Sequence, residues 1–410
     1  MNIEINELFA IQNKLVSQTP LKFKRYLFEK INWENRMITI TGARGTGKTT
    51  LVLQHFKEKY KTTAECLYMS ADNPLVLKNG VYNIATEYFK YYGDAIIIDE
   101  VHKQTNWSSE VKALYDAFPD KKIIILGSSR LNILNQKGDL SRRTLIYNLK
   151  GLSFREFLEL KYEINFSSYN LEEILSDHIK ISSDLFQINR NVLKHFMEYK
   201  QIGFYPFFTD VDISEYQVIL NNVLDKVIYE DVPALKDIKS SSQVSLKKLI
   251  AYLSISKIPT INIGSMCNEL DIPKETLYEF LDLLARADLV NIIKKRDATV
   301  RSLKKSRIFL SNPNLYYAIS NELWKHNVDV GNIRESFFVS QLNELYLLYS
   351  SQIADYSIYL KTGKDIEVEI GGKTKSRKQI MDTKDGYVFR DDQEMGYDNI
   401  IPLYLTGFLY

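Results

Sequence analysis

Eight consecutive residues, Gly42-Ala43-Arg44-Gly45-Thr46-Gly47-Lys48-Thr49, satisfy the phosphate-loop pattern G-x-x-x-x-G-K-[ST] at every fixed position. Each fixed position has a physical task. The glycines let the backbone curl so that successive N–H groups point at phosphate oxygens. Lys48 can reach the β- and γ-phosphates, and the Thr49 hydroxyl can ligate Mg²⁺. Thr50 follows at the start of an amphipathic stretch, Thr50-Leu51-Val52-Leu53, so the expected nucleotide-binding set is Gly42 to Thr50. The second chemical signal is Ala95-Ile96-Ile97-Ile98-Asp99-Glu100, an apolar run that ends in two acids. Asp99 is expected to hold Mg²⁺ through water, and Glu100 to orient or deprotonate the attacking water. Together the two signals predict binding and hydrolysis of ATP with Mg²⁺, with Thr49 and Asp99 as the metal residues.

These side chains need elements to position them. Met37–Thr41, Cys66–Ser70, Ala95–Ile98, Ile123–Gly127 and Leu145–Leu149 are short apolar runs separated by helical stretches. Near-continuous apolar strands between helices predict a parallel sheet covered on both faces, the P-loop ATPase architecture. Ligands bind at the C-terminal ends of such strands, which is where the Gly42–Thr49 loop and Asp99-Glu100 fall. Adjacent carboxylates at a strand end fit the class with an additional strand and not the GTPases. The fourth strand leads into Gly127-Ser128-Ser129-Arg130. Ser128, with Ser129 as second choice, could bridge the γ-phosphate and the lytic water; a plain polar turn is the alternative. Arg143, in the pair Arg142-Arg143 before the fifth strand, could reach a neighbouring subunit's γ-phosphate, or belong to a solvated pair. A trans-acting Arg143 would require a homo-oligomer.

The order of these motifs carries a resemblance. Gly42-x-Arg44-x-x-Gly47-Lys48-Thr49, Ile98-Asp99-Glu100-Val101-x-Lys103 followed by Trp107, Leu126-Gly127-Ser128-Ser129, and Arg143 followed by Gly151-Leu152-Ser153-Phe154-Arg155-Glu156-Phe157 occur in that sequence. The chain resembles prokaryotic AAA-family ATPases with a C-terminal nuclease-like domain of unknown function. The resemblance implies an AAA-type core, a winged helix and a C-terminal module. It puts Arg143 in the family's arginine position.

The expected organisation is a helical lead-in over 1–34, an AAA-type α/β ATPase domain over 35–160, and a helical lid or linker over 161–240. A winged helix-turn-helix over 241–312 and a small restriction-endonuclease-like α/β domain over 313–410 complete it. The lead-in reads as helical to residue 31, with Pro20 dividing it. Ile219, Leu220, Val223, Leu224, Val227 and Ile228 form a helical apolar stripe suited to a core. After helices around 246–253, 263–270 and 274–284, the stretch 294–307 reads as a wing. It carries Lys294, Lys295, Arg296, Arg301, Lys304, Lys305 and Arg307 against one acid, Asp297. Such a cluster suits duplex-DNA phosphates, whereas Glu275, Glu279 and Asp282 on the preceding helix suit them badly, and protein contact is the alternative. In the last segment, a helix from Gly331 to about Tyr349 precedes strands at Tyr356–Leu360 and Ile366–Ile370. A helix acid with an acid-x-x-x-Lys strand resembles the PD-(D/E)xK nuclease layout, with Glu335, Glu369 and Lys373 as its remnants. Glu369 stands where that layout has Asp, and no acid-x-Lys pair follows. An inactive, binding or structural version is therefore expected. The alternatives for the whole chain are an ATP-regulated nuclease and a signalling or scaffold ATPase whose winged helix contacts protein.

Composition sets the outer bounds. The chain has 410 residues, 45% hydrophobic and 25% charged, with a formal net charge of +2. That charge implies no global affinity for nucleic acid, so any basic footprint must be local. Its 2 cysteines, Cys66 and Cys267, are too few for a disulfide framework or a zinc site and fit a reducing compartment. No apolar run is long enough to cross a membrane, and the cytoplasm is the expected location.

Overall fold

The computed structural model describes residues 3–410 apart from 63, 128–139, 141, 237, 257–262, 299–302, 304–305, 324–327, 376–379, 381–382 and 384. The chain forms two compact units. One comprises Met1–Gly151 with Tyr229–Asp237, the other Leu152–Ile228 with Ile238–Tyr410.

The first unit is built on a five-stranded parallel sheet in the order β2-β3-β4-β1-β5. Its strands are β1 (Met37–Thr41), β2 (Cys66–Ser70), β3 (Ala95–Asp99), β4 (Lys122–Gly127) and β5 (Leu145–Asn148). The apolar runs form strands because both faces of the sheet are covered. Pairing of β3 with β4 sets Ile96 beside Ile123 and Ile98 beside Ile125. Those four residues enter one core with Ile5, Leu8, Ile84, Tyr88, Val111 and Leu114, from α1 (Ile3–Gln18), α4 (Val81–Tyr91) and α5 (Trp107–Ala117). The alternate residues Ile97, Ile124 and Leu126 enter a second core with Leu51, Val52 and Phe56 of α2 (Lys48–Lys59). The period-two alternation of strand side chains thus fills two cores with one type of residue. A short helix α3 (Pro74–Asn79), whose Leu75 N–H is capped by the Asn73 side chain, follows β2.

The lead-in departs from expectation. Only α1 is helical; the stretch around Leu21–Ile31 runs in turns, with Phe28 N–H donating to Arg25 O and Lys30 N–H to Leu27 O. Leu27, Phe28 and Ile31 are nevertheless buried in the second core. Their helical spacing reflects burial at a turn. The Arg25 side chain ties the backbone there to three distant carbonyls, which fixes the local path (below).

The second unit begins with α6 (Phe154–Tyr162), α7 (Leu171–Ile188), α8 (Val192–Ile202) and α9 (Ile213–Lys226). It continues with α10 (Ser240–Ile255), α11 (Ile263–Leu270), α12 (Lys274–Arg286) and an antiparallel ribbon of β6 (Val290–Ile293) with β7 (Arg307–Leu310). After α13 (Pro313–Glu322) and α14 (Val330–Leu342) comes a five-stranded mixed sheet in the order β12-β11-β10-β9-β8. Its members are β8 (Leu347–Ser350), β9 (Tyr356–Tyr359), β10 (Asp365–Gly371), β11 (Gly386–Arg390) and β12 (Ile400–Pro402). The buried Asn314 knits the helices: its Oδ1 accepts from Phe204 N–H and Tyr216 O–H, and its Nδ2 donates to Tyr199 O and Lys200 O. All its hydrogen-bonding capacity inside the core is used. The helix expected to reach Tyr349 stops at Leu342, because Glu344 adopts φ +74 and reverses the chain into β8. The segment 400–410 is buried throughout, as expected of core.

One buried base in the first unit links packing to pH. His55 on α2 stacks on Trp33, ring centroids 3.9 Å apart at 7°, and its Nε2 has no hydrogen-bond partner. Burial first, then Lys122 and Lys59, lowers its pKa from 6.5 to about 4. Between those values the unfolded chain binds a proton that the folded one refuses. The stability His55 contributes is therefore complete above 6.5 and is lost as pH falls toward 4. Urea unfolding should show a loss of up to about 3 kcal/mol across that window. His55→Phe should flatten the slope; an unchanged slope would assign the loss to other groups.

Candidate functional site

The loop 42–49 is shaped by two positions that only glycine suits. Gly42 has φ +148, and a Cβ there would lie 2.3 Å from Leu149 O. Gly47, with φ 90, precedes the first residue of α2, so the free N–H groups of that helix start open onto the loop. Lys48 Nζ donates to Gly42 O and Ala43 O, 2.8 and 2.9 Å away, and holds the curl closed from inside. Thr46 Oγ1 donates to Ala43 O at 2.9 Å. Thr50 is on the exposed side of α2. Outside the loop, the buried Arg25 donates to Thr46 O, Lys150 O and Gly151 O at 2.5, 2.7 and 2.9 Å. No motif announces Arg25. Its role depends on carbonyls 21 to 126 residues away.

The two sequence motifs meet. Thr49 Oγ1 donates to Asp99 Oδ2 at 2.6 Å. The same oxygen accepts from Tyr68 O–H at 2.9 Å, and Asp99 Oδ1 accepts from the Glu100 N–H at 2.8 Å. Asp99 is buried, and these donors hold its carboxylate oriented. Burial and the adjacent carboxylate push the Tyr68 phenol well above its ordinary range, and Tyr68 remains a donor. A hydroxyl and a carboxylate oxygen side by side form a hard-oxygen set that suits Mg²⁺. Glu100 turns the chain at the strand end with φ 48 and ψ 36, an uncommon left-handed conformation for a residue with a side chain.

The Glu100 carboxylate lies among charged groups that the sequence does not bring together. His102 Nε2 is 3.3 Å and Arg44 Nη2 3.9 Å from its Oε2. Both side chains also address Asp231. Arg44 Nη2 donates to its Oδ1 at 3.0 Å and Arg44 Nε to its Oδ2 at 3.4 Å, while His102 Nε2 lies 3.7 Å from Oδ1. Burial would raise the Asp231 pKa, but bonds from His102 and Arg44 override it and hold the carboxyl well below the usual range. Lys103 pairs with Glu230 at 2.9 Å. Asp231 ends a π-helical turn, Val227–Asp231, and a short helix Val232–Leu235 follows. The apolar stripe through Val227 and Ile228 points only to core; the acids after it form no motif.

The remaining expected residues fall elsewhere. Ser128 and Ser129 lie outside the described residues. Arg143 pairs with Asp116 through Nε at 3.0 Å and Nη2 at 3.1 Å. It precedes Leu145, and the pairing of Leu145 with Ile38 begins at the end of the sheet opposite the loop. Arg143 is therefore not brought to its own chain's loop.

In the second unit two of the wing's cations are engaged internally. Arg296 Nη1 pairs with Asp365 at 2.6 Å. The buried Arg307 pairs with Glu335 at 2.5 Å and Asp355 at 2.9 Å. Arg301, Lys304 and Lys305 lie outside the described residues. Glu335 and Glu369 do come near one another's partners, but cations of the chain occupy them. Tyr356 O–H donates to Glu335 at 2.7 Å, and Lys375 Nζ pairs with Glu369. Lys373, expected opposite Glu369, is exposed; Lys375 takes the place because the chain turns through Gly371-Gly372. Glu369 is buried. Burial raises its pKa and that of Glu335, while Lys375 and Arg307 respectively work against the rise. Among the described residues no group of three or more His, Cys, Asp or Glu is gathered to hold a metal, and no helix is long and apolar enough to cross a membrane.

Comparison with known proteins bears on both units. Residues 34–158 match a family described as AAA domain, and residues 193–324 match a domain of unknown function (DUF8612). An uncharacterized protein of Methanocaldococcus jannaschii is 26% identical, the match covering 96% of this chain and 92% of that one. An uncharacterized protein of Haemophilus influenzae is 22% identical over 76% of this chain and 75% of that one. The Walker-type ATPase of Pyrococcus abyssi is similar in structure with a TM-score of 0.40 and 10% identity, over 72% of this chain and 95% of that one. Residues 34–158 thus combine a match to the AAA domain model with a five-stranded parallel sheet and a loop of phosphate-loop pattern.

The Arg25 contacts give a direct test of how the loop is held. Arg25→Ala leaves three carbonyls without their charged donor and should cost about 3 kcal/mol in urea unfolding. Arg25→Lys should recover little, since an ammonium cannot reproduce the planar fork. Full recovery by lysine would show that charge alone matters.

Proposed function

We propose that the chain binds ATP at Gly42–Thr50 and hydrolyses it, with Glu100 as the base. The carrying observation is the 2.6 Å bond between Thr49 and Asp99, which joins the phosphate loop to the acidic strand end. Mg²⁺, when bound by Thr49 and by Asp99 through water, would neutralise phosphate charge as the γ-phosphoryl group leaves. Lys48 would exchange its two loop carbonyls for phosphate oxygens. Glu100 would accept a proton from the attacking water. The nucleotide state would then reposition the winged helix and the C-terminal module.

For those modules we favour protein contact over DNA. The pairing of Arg296 and Arg307 with acids of their own unit removes two cations from the expected footprint. Duplex DNA contact through 294–307 is the second reading, and titration at two salt concentrations separates them by slope. We further propose that the C-terminal sheet cleaves nothing, since Arg307 and Lys375 stand at the carboxylates a metal would need. Arg143 is proposed to act on a neighbouring copy.

The reading is tested at two positions. Lys48→Ala should weaken binding of a fluorescent ATP analogue by at least about tenfold. Glu100→Gln should bind it nearly as wild type but turn over ATP about 100-fold more slowly. Unaltered turnover in Glu100→Gln would remove it from the role of base, and unaltered affinity in Lys48→Ala would remove the loop.

A further inference from the structure

Two carboxylates, Glu100 and Asp231, share the same two neighbours, Arg44 and His102. The distances divide them unequally. Arg44 presents Nε and Nη2 to the two oxygens of Asp231 at 3.4 and 3.0 Å, a forked geometry, and lies 3.9 Å from Glu100. A guanidinium forked onto one carboxylate has little left for another. A carboxylate clamped by a guanidinium has fewer lone pairs open to water than one left unclamped. Glu100 Oε2 is buried without a hydrogen bond, with His102 Nε2 at 3.3 Å and the Arg44 guanidinium at 3.9 Å from it.

We propose that Asp231 is a positioning residue for ATP hydrolysis, holding Arg44 off Glu100 so that the Glu100 carboxylate stays open to water. The proposal rests on the nucleotide reading above and adds to it a residue from far along the chain. Without the Asp231 charge, Glu100 is the nearest carboxylate left to Arg44. The guanidinium then closes on Glu100 and quenches the base while the phosphate loop stays intact. Asp231 sits 187 residues after Arg44. Its segment, Tyr229–Asp237, packs with the first unit, whereas the chain on either side belongs to the second. Hydrolytic competence thereby depends on that segment being docked. Lys103 and Glu230 supply a second tie at the same place.

The experiment compares kcat, KM and fluorescent-nucleotide Kd for the full chain and its variants. Asp231→Asn should lower kcat by about tenfold or more and leave Kd within about threefold. Asp231→Glu should bring kcat back to within about threefold of wild type. In an Arg44→Ala background, adding Asp231→Asn should lower kcat by less than about threefold, because the cation that quenches Glu100 is gone. If Asp231→Asn does not fold, Asp231→Glu and the double variant carry the test. An undiminished kcat in Asp231→Asn overturns the proposal. So does an undiminished effect in the Arg44→Ala background, which assigns Asp231 a structural role. A wild-type chain that neither binds nor turns over ATP overturns the nucleotide reading and this proposal with it. Wild-type turnover with insensitive Asp231 variants overturns this proposal alone.

Discussion

The bond from Thr49 to Asp99 makes the strictest demand on the first unit. Thr49 follows β1 and Asp99 ends β3, and β4 lies between those strands. The two side chains can meet at 2.6 Å only if three parallel strands end level and the loop folds back over the middle one. Parallel order needs right-handed crossovers with helices on both faces, which in turn need two apolar cores. The alternating isoleucines of β3 and β4 supply both. A single hydrogen bond at the rim thus depends on the register Ile96–Ile123 and Ile98–Ile125 well inside the sheet. Gly42 serves the same end: its backbone passes so close to Leu149 O that no side chain fits, which seats the loop beside β5.

What could be read from sequence in this unit is what acts locally. Strand runs were legible because burial on both faces selects Ile, Leu and Val without interruption, and each strand falls within one residue of its expected place. The loop and the Asp99-Glu100 pair were legible because their chemistry lies in consecutive residues. Arg25, Tyr68, His102 and Asp231 were not. Each acts through a partner far along the chain, and nothing in the neighbouring residues distinguishes it from any other buried polar group. The errors follow the same rule. Leu27 and Ile31 have helical spacing, but Arg25 fixes the backbone there by side-chain bonds that spacing cannot reveal. The overlong helix before β8 was a comparable case, ended by a left-handed Glu344 that carries no glycine to signal it.

Charge in the second unit shows why a local count misleads. The basic run 294–307 reads as a footprint for phosphate, yet Arg307 lies buried between Glu335 and Asp355. Glu335 in turn reads as a remnant of a metal site. Each half of the pairing explains away the other half's apparent function. Burying such a cluster without its full set of partners costs several kcal/mol, so Arg307, Glu335, Asp355 and Tyr356 hold one another in place. Tyr356 completes it by donating to Glu335 beneath the Arg307 guanidinium. Lys375 does for Glu369 what Arg307 does for the other two acids. Paired in this way, the acids fix β7, β9 and β10 together.

The same reasoning gives the segment around Asp231 its weight. A buried carboxylate is tolerated only where partners meet it, and here the partners belong to the phosphate loop and to the turn after Glu100. The segment cannot leave without stranding Arg44 and His102 beside Glu100. It also cannot dock without drawing them toward itself. A π-helical turn is a costly conformation that recurs where a helix must deliver a residue out of register, and Val227–Asp231 places the acid at its end. Arg44 and His102 thus tie the segment to the loop and to the turn after Glu100.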